Sequence, residues 1–172
     1  MSPKLETVKT ISDIVSVWVG LVALLGAGIF ALLQYVEKQS EDRVKVSIDF
    51  LHRYGDSEVG AARTRLREVW RKHRIDFEAI LNKQIVSNEE YSDFIMAVVE
   101  RESLQEPISY LIDYFDSLNV CVEKKICDSE TTRALLKRDA DSFFNLHYPV
   151  IVLERSSNPN FASSLQAFAK SP

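Results

Sequence analysis

The feature that most constrains this chain is a run without charged residues near its N-terminus. Asp13 is the last charge before the run and Glu37 the first after it, and residues 14–36 read IVSVWVGLVALLGAGIFALLQYV. As a helix these 23 residues span roughly 34 Å, enough to cross a hydrocarbon core of about 30 Å. Trp18 and Tyr35 lie near the two ends, where aromatic rings favour lipid headgroups. The run therefore predicts a single transmembrane helix at 14–36, preceded by a short tail at 1–13.

Two other interpretations of the run are weaker. Residues 26–31 read G-x-G-x-x-A, the glycine pattern of a dinucleotide-binding turn, and Asp49 follows at a tolerable distance. However, the apolar run continues on both sides of the glycines, and no later segment alternates strand and helix as a doubly wound sheet requires. A cleaved signal peptide is disfavoured because the apolar segment is too long and Asp13 interrupts its basic region.

Three alanines recur every four residues along the predicted membrane helix, which places them on one side of it. They are Ala23, Ala27 and Ala31, with Gly20 and Gly28 beside them. Such a small-xxx-small ridge lets two helix backbones approach closely, which favours a homo-oligomer through the transmembrane helix. The alternative is that glycine and alanine are simply common in membrane helices.

The distribution of basic residues around the run predicts the orientation of the chain. Only Lys4, Lys9 and the α-amino group precede the run, whereas four basic residues follow it within about 20 positions. They are Lys38, Arg43, Lys45 and Arg53. The positive-inside rule then predicts a cell (inner) membrane protein whose N-terminus lies outside and whose C-terminal domain is cytoplasmic.

The two cysteines are compatible with that orientation. Cys121 and Cys127 are six residues apart, which on one continuous helix places them roughly 120° apart around the axis. No further cysteine is present to complete a zinc site. We therefore expect two free thiols in a reducing compartment.

The rest of the chain has the periodicity of helices, and the predicted fold class is all-α. We expect a small antiparallel helical bundle in a cytosolic domain at 37–155, followed by a C-terminal tail at 156–172. Ser87 begins an S-x-x-E capping box, Ser129 is a candidate helix cap, and Pro149 must kink or interrupt the last long helix.

Composition and motifs argue against several classes of function. The net charge of −4 gives no reason to expect binding to nucleic acid. His52, His73 and His147 are isolated from one another and from carboxylates at metal-ligand spacing. No nucleophile elbow and no phosphate-binding glycine loop is present. We therefore expect neither an enzyme nor a bound metal or cofactor, and predict no catalytic residue.

A basic stripe is the first candidate binding feature. Four arginines recur at helical spacing, opposite an apolar face: Arg63, Arg67, Arg71 and Arg74. Such a stripe can contact anionic lipid headgroups or an acidic partner. The alternative is an exposed face whose charges pair with Glu58, Glu68 or neighbouring acidic helices.

A pair of aspartates is the second candidate. Asp113 and Asp116 lie three apart in LIDYFDSL, on one side of a helix. Two close carboxylates can bind a metal or act in acid–base catalysis, but no third ligand is predictable. The structural alternative, which we favour, pairs Asp116 with Arg155 or another arginine across the bundle.

The segment ISYLIDYFDSLNVCVEKKICDSETTRALLKRDADSFFNLHYPVIVLER carries a resemblance. It is similar to a family of short, mostly bacterial proteins with one N-terminal membrane helix and a helical cytosolic domain, classed as a domain of unknown function. Members of that family carry a motif similar to L-x-N-F-F-E where this chain reads LIDYFD. Asp113 stands in place of the usual Asn, and Asp116 in place of the usual Glu. The resemblance implies the architecture and no activity.

Two functions follow as hypotheses. The first is a single-pass membrane-anchored helical protein that acts as an interaction or scaffold module, with the lipid bilayer and a protein of unknown identity as partners. The second is a membrane-perturbing effector of the defence or toxin type, with a cytosolic sensing domain.

Overall fold

The computed structural model describes residues 3–83 and 87–171, and the side chains of 18, 20, 21, 23–83 and 87–171. Within these residues the protein is all-helical, as the sequence predicts. The eight helices described are α1 Pro3–Asp56, α2 Glu58–Lys72, α3 Arg74–Leu81, α4 Asn88–Arg101, α5 Gln105–Glu123, α6 Ser129–Leu146, α7 Tyr148–Arg155 and α8 Ser163–Lys170. The chain divides into two units, residues 1–42 and residues 43–172.

The first unit contains the predicted membrane segment. Ten large apolar side chains are exposed along this part of α1, from 49% for Leu21 to 76% for Leu24. Within the described residues, no helix is both long enough and apolar enough to cross a membrane. Residues 14–17, 19 and 22 of the predicted span lie outside the residues whose side chains the structure describes.

The second unit is built around α5. This helix packs against α2 on one side and α8 on another, and α8 also packs against α6. Eight of its residues are buried, and five of them fall at the spacing that the sequence indicates: Ile108, Leu111, Ile112, Phe115 and Leu118. This helix has more buried residues than α2, α3, α4, α6, α7 or α8, and each Å² of apolar surface removed from water contributes about 25 cal/mol to stability.

The corner between α1 and α2 depends on a close backbone approach. Ser57 caps α2, with its Oγ accepting a hydrogen bond from the N–H of Val59 at 3.3 Å. Gly60 is buried, and a Cβ added there would overlap the carbonyl of Gly55. A residue without a side chain is therefore required at this position if the corner is to keep its shape.

At the corner between α5 and α6 the prediction of two free thiols is wrong. Cys121 and Cys127 form a disulfide, with their Cα atoms 5.2 Å apart. The prediction was wrong because it assumed one helix through both residues. In fact α5 ends at Glu123, and Lys125 adopts a left-handed conformation with φ 56°. The chain reverses there, and the amides of Ile126 and Cys127 donate to the carbonyl of Cys121 at 3.0 and 3.1 Å.

The start of α6 is fixed by a buried polar cluster. Asp128, not Ser129 as predicted, is the cap, because its Oδ1 accepts from the N–H of Thr131 at 2.8 Å. Ser47, fully buried, accepts from the amide of Asp128 at 2.9 Å and from the hydroxyl of Thr132 at 3.0 Å. These bonds tie the C-terminal part of α1 to the first turn of α6.

The segment predicted as a tail contains a helix that is part of the core. Leu165, Phe168 and Ala169 of α8 are buried against α5 and α6. Upstream, Pro149 lies in the first turn of α7, so the long helix is interrupted at this proline, as predicted.

A candidate ligand-binding cleft

A cleft of about 270 Å³ lies where α2, α5 and α6 meet the C-terminal end of α1. Its apolar floor is formed by Leu66, Leu111 and Leu146. Aromatic side chains form its walls: Tyr54, Trp70 and Phe143. Polar side chains complete the lining: Arg63, Arg67, Asp139, Ser142 and His147. We call this set the aromatic–arginine cleft.

One wall of the cleft is held by a buried histidine. His147 is 2% exposed, and its Nδ1 donates to the carbonyl of Phe143 at 2.9 Å. Its Nε2 accepts a hydrogen bond from Nε1 of Trp70 at 3.2 Å. Because an indole N–H can only donate, these partners assign the neutral imidazole with its proton on Nδ1. Burial lowers the pKa of His147 to about 4, so the ring is uncharged at neutral pH.

The other side of the cleft carries a fixed guanidinium. Nη2 of Arg63 lies 3.5 Å from Oδ2 of Asp139, and its Cζ lies 4.3 Å from the centre of the Tyr54 ring. The tyrosine is buried, and burial together with the charge of Asp139 raises the pKa of Tyr54 well above its ordinary value. Arg63 is thus positioned from two directions by an ion pair and a cation–π contact.

The four arginines of the predicted stripe do not share one helix. Arg63, Arg67 and Arg71 lie on α2, but α2 ends at Lys72 and Arg74 begins α3, where it pairs with Glu78 at 3.6 Å. The stripe is therefore a three-arginine face, and only Arg63 and Arg67 line the cleft.

The end of α2 coincides with a charged cluster around Glu102. His73 is buried, and its Nε2 donates to Oε1 of Glu102 at 2.9 Å, which Nζ of Lys72 also contacts at 2.6 Å. These hydrogen bonds lower the pKa of Glu102 to about 2, so the carboxylate stays ionised. The cluster joins the C-terminal ends of α2 and α4.

Asp116 and Arg155 do not form the direct pair that the sequence predicts among the described contacts; each instead binds the backbone of residues 161–165. Oδ1 of Asp116 accepts from the N–H of Leu165 at 2.5 Å, while Nε of Arg155 donates to the carbonyl of Phe161 at 2.8 Å. Burial raises the pKa of Asp116, an effect that the Leu165 N–H opposes. Asp113 is exposed. The geometry gives Asp116 the role of a helix cap for α8, contributed by another helix.

The small residues of α1 are exposed along the described part of that helix. Gly20, Ala23, Ala27 and Ala31 all belong to this group, and a Cβ at Gly20 would meet no described atom within 4 Å. Among the residues that the structure describes, no group of three His, Cys, Asp or Glu side chains is placed to hold a metal ion.

A second cavity of about 580 Å³ lies beside the α5–α6 corner. Charged residues of both signs line it, and they are Arg43, Glu123, Lys125, Asp128 and Arg133. Both carboxylates have internal roles. Glu123 accepts from Asn119 at 2.8 Å, and Asp128 caps α6.

Most of the cleft could not have been found from the sequence. Tyr54, Trp70, Asp139 and His147 come from three distant segments that converge only through the packing of α2 on α5 and α6. The two arginines at a spacing of four were the one visible signal.

A model of the family Domain of unknown function (DUF4760) matches residues 21–171. The chain belongs to the DUF4760 family. The match covers α2–α8 and most of α1, including the whole aromatic–arginine cleft. It agrees with the resemblance to a domain-of-unknown-function family that the α5–α7 segment carries. No curated protein and no solved structure shows significant similarity to this DUF4760 chain.

Proposed function

We propose that this DUF4760 protein is a membrane-anchored helical interaction module and not an enzyme. The observation that carries the proposal is the exposure of ten large apolar side chains along residues 18–36. Exposed apolar surface of this extent is unfavourable in water and marks a contact with lipid or protein. The sequence adds an unbroken stretch without charge at 14–36, whose length suits a bilayer.

The arrangement of residues around α1 supports the same proposal. At about 100° per residue, the large side chains from Trp18 to Val36 cover roughly 240° of the helix circumference. Gly20, Ala23, Ala27 and Ala31 fall within the remaining arc, in a sector of roughly 80°. Large side chains facing lipid and a narrow ridge of small ones suit a membrane helix that packs on a second copy.

Extraction of membranes with alkaline carbonate tests the anchor. We expect the full chain to stay in the pellet, and a variant with Leu24, Phe30 and Leu33 replaced by Lys to move to the supernatant. A matched control replaces three exposed polar residues beyond the run, Gln39, Glu41 and Asp42, by Lys and should stay in the pellet. Extraction of the unmodified chain would refute the anchor.

The orientation of the anchor is proposed from charge. Because basic residues flanking a span set its orientation, Lys38, Arg43, Lys45 and Arg53 favour a cytoplasmic domain. The disulfide Cys121–Cys127 opposes this, since such bonds are rare in reducing compartments. Two fusions after residue 172 test the orientation. A phosphatase that works only outside the cytoplasm should be inactive there, whereas a fluorescent protein at the same position should fluoresce. The reverse result would invert the orientation.

A second candidate function is favoured by the cleft. A membrane-perturbing effector needs a part that senses a signal, and the aromatic–arginine cleft is a pre-formed concave site with few polar groups, as ligand sites generally are. Overexpression that depolarises cells would support this function. Unchanged membrane potential at the same expression level would leave the interaction module as the better account.

A further inference from the structure

We propose that the aromatic–arginine cleft binds a small monoanionic aromatic carboxylate, with its ring against Trp70 and its carboxylate at Arg63 and Arg67. This inference goes beyond the interaction module, because it assigns a ligand to a site within residues 43–172. It does not depend on the membrane anchor.

The volume of the cleft is sufficient for a single ring. The cavity holds about 270 Å³. An apolar cavity of about 150 Å³ is sufficient for benzene, and drug-sized ligands occupy about 300–1,000 Å³. The space therefore suits one ring with one small substituent.

The walls favour an aromatic ring and offer it few hydrogen bonds. The N–H of Trp70 already donates to His147, and both ring nitrogens of His147 are in use. Phe143 and the leucines of the floor have no polar side-chain atoms. The part of the ligand inside the cleft is thus expected to be apolar, and an aromatic ring packs on Trp70 with the usual offset or edge geometry.

The charges of the lining select a monoanion. Arg63 and Arg67 are positive, Asp139 is negative and His147 is uncharged, which leaves one net positive charge. Arg63 is already fixed by Asp139 and Tyr54. Arg67, one turn further along α2, is exposed and forms no ion pair within the described residues.

Two arginines line the cleft together with aromatic residues and leucines, which matches a ligand with a carboxylate at one end of a ring. Guanidinium N–H groups form strong charge-assisted hydrogen bonds with a carboxylate. Because Arg63 is held before binding, less conformational entropy is lost when the ligand binds.

A fluorescence titration tests the proposal. The chain has two tryptophans, so Trp70 becomes the sole tryptophan, which can be excited selectively over the tyrosines, once Trp18 is replaced by Phe. We would titrate the full-length W18F chain in detergent micelles with benzoate and follow Trp70 emission, with calorimetry on the same samples as a second readout. We expect saturable binding of benzoate, and binding at least about tenfold weaker for benzamide, cyclohexanecarboxylate and inorganic phosphate.

Two matched arginine variants locate the carboxylate. Arg67→Gln should weaken benzoate binding by about tenfold, because it removes a charge-assisted contact. Arg71→Gln changes an exposed arginine on the same helix that does not line the cleft, and should leave binding within about twofold. Absence of saturation in both readouts, or equal weakening by the two variants, would overturn the proposal.

Discussion

At the scale of single residues, His147 links the packing of the core to pH. It is buried and neutral, and both its nitrogens are used in hydrogen bonds that hold Trp70 and α6 in place. Protonation would put an uncompensated charge in the core and would turn the acceptor of the Trp70 N–H into a donor. The same residue thus stabilises the wall of the cleft and makes it sensitive to acid.

The first prediction concerns this histidine. Its pKa is about 4 in the folded protein and about 6.5 when unfolded, so the unfolded state binds more protons between these values. The free energy of unfolding should fall by about 2 kcal/mol from pH 7 to pH 5 through this group. Urea unfolding at both pH values measures it. His147→Gln should reduce the difference, whereas His52→Gln, at an exposed position, should not.

The second prediction concerns the corner between α1 and α2. Gly60→Ala should lower the free energy of unfolding by about 1–3 kcal/mol, because the new Cβ would overlap the Gly55 carbonyl and force the backbone apart. Gly55→Ala is the matched control, since a Cβ there meets nothing within 4 Å. It should be neutral or slightly stabilising in helix α1. Equal destabilisation by both changes in thermal unfolding would contradict this account.

At the scale of elements, α8 shows how a short helix is held in place. Eight residues form a marginal helix on their own, so α8 depends on packing and capping. Its preceding residue, Ala162, adopts φ 55° and supplies no side-chain cap. Asp116 of α5 supplies the missing acceptor, and the buried face of Leu165 and Phe168 completes the attachment.

The third prediction follows from that cap. Asp116→Ala should destabilise the protein by about 1–2 kcal/mol, because the Leu165 N–H loses its acceptor. Asp116→Asn keeps an acceptor and should cost less. Asp113→Ala, at an exposed position on the same helix, should have little effect. Unfolding by guanidinium measures the free energy of unfolding of all three variants, and hydrogen exchange measures how well the amides of α8 are protected in each. A larger loss from Asp113→Ala would show that the cap has been misassigned.

The helices could largely be predicted from sequence, whereas the points where they end could not. Ile108, Leu111, Ile112 and Phe115 repeat at helical spacing, so the core face of α5 is visible in the sequence. Lys125 carries no local signal for a left-handed conformation, which glycine usually provides. Missing that turn led directly to the wrong prediction for the cysteines, because their distance depends on it.

The cleft was predictable only in part, for a related reason. Arg63 and Arg67 were visible because residues four apart on a helix share a face. Asp139 and His147 join them only through contacts between distant segments, which a single sequence does not specify. The end of α2 at Lys72 likewise depends on His73 binding Glu102, a contact with α4.

At the scale of the whole molecule, the chain combines two different kinds of surface. The described side chains of residues 18–36 are exposed, ten large apolar ones among them, whereas residues 43–172 bury an apolar core around α5 and leave ten other large apolar side chains exposed at separate places. We infer a division of labour in which one part sets location and association and the other recognises a ligand or partner.

The fourth prediction tests association. Ala27→Leu places a large side chain in the centre of the ridge formed by Gly20, Ala23, Ala27 and Ala31, and should weaken self-association by preventing close approach of backbones. Leu25→Ile, on the opposite side of α1, is the matched control. Cross-linking in membranes, or energy transfer between labelled copies in vesicles, measures the oligomer. Unchanged association of the Ala27 variant would exclude the ridge as the contact.

The disulfide also determines what a protease can do to this molecule. Lys124 and Lys125 are exposed and lie between Cys121 and Cys127, within the ring that the bond closes. Trypsin acting there would nick the backbone without releasing a fragment, because the sulfur atoms still join the two pieces. The chain would migrate at full length without reductant and as two bands with it. If the chain is anchored as proposed, a trypsin treatment of intact cells, compared in this way, would therefore report both the side of the membrane on which the domain lies and its oxidation state.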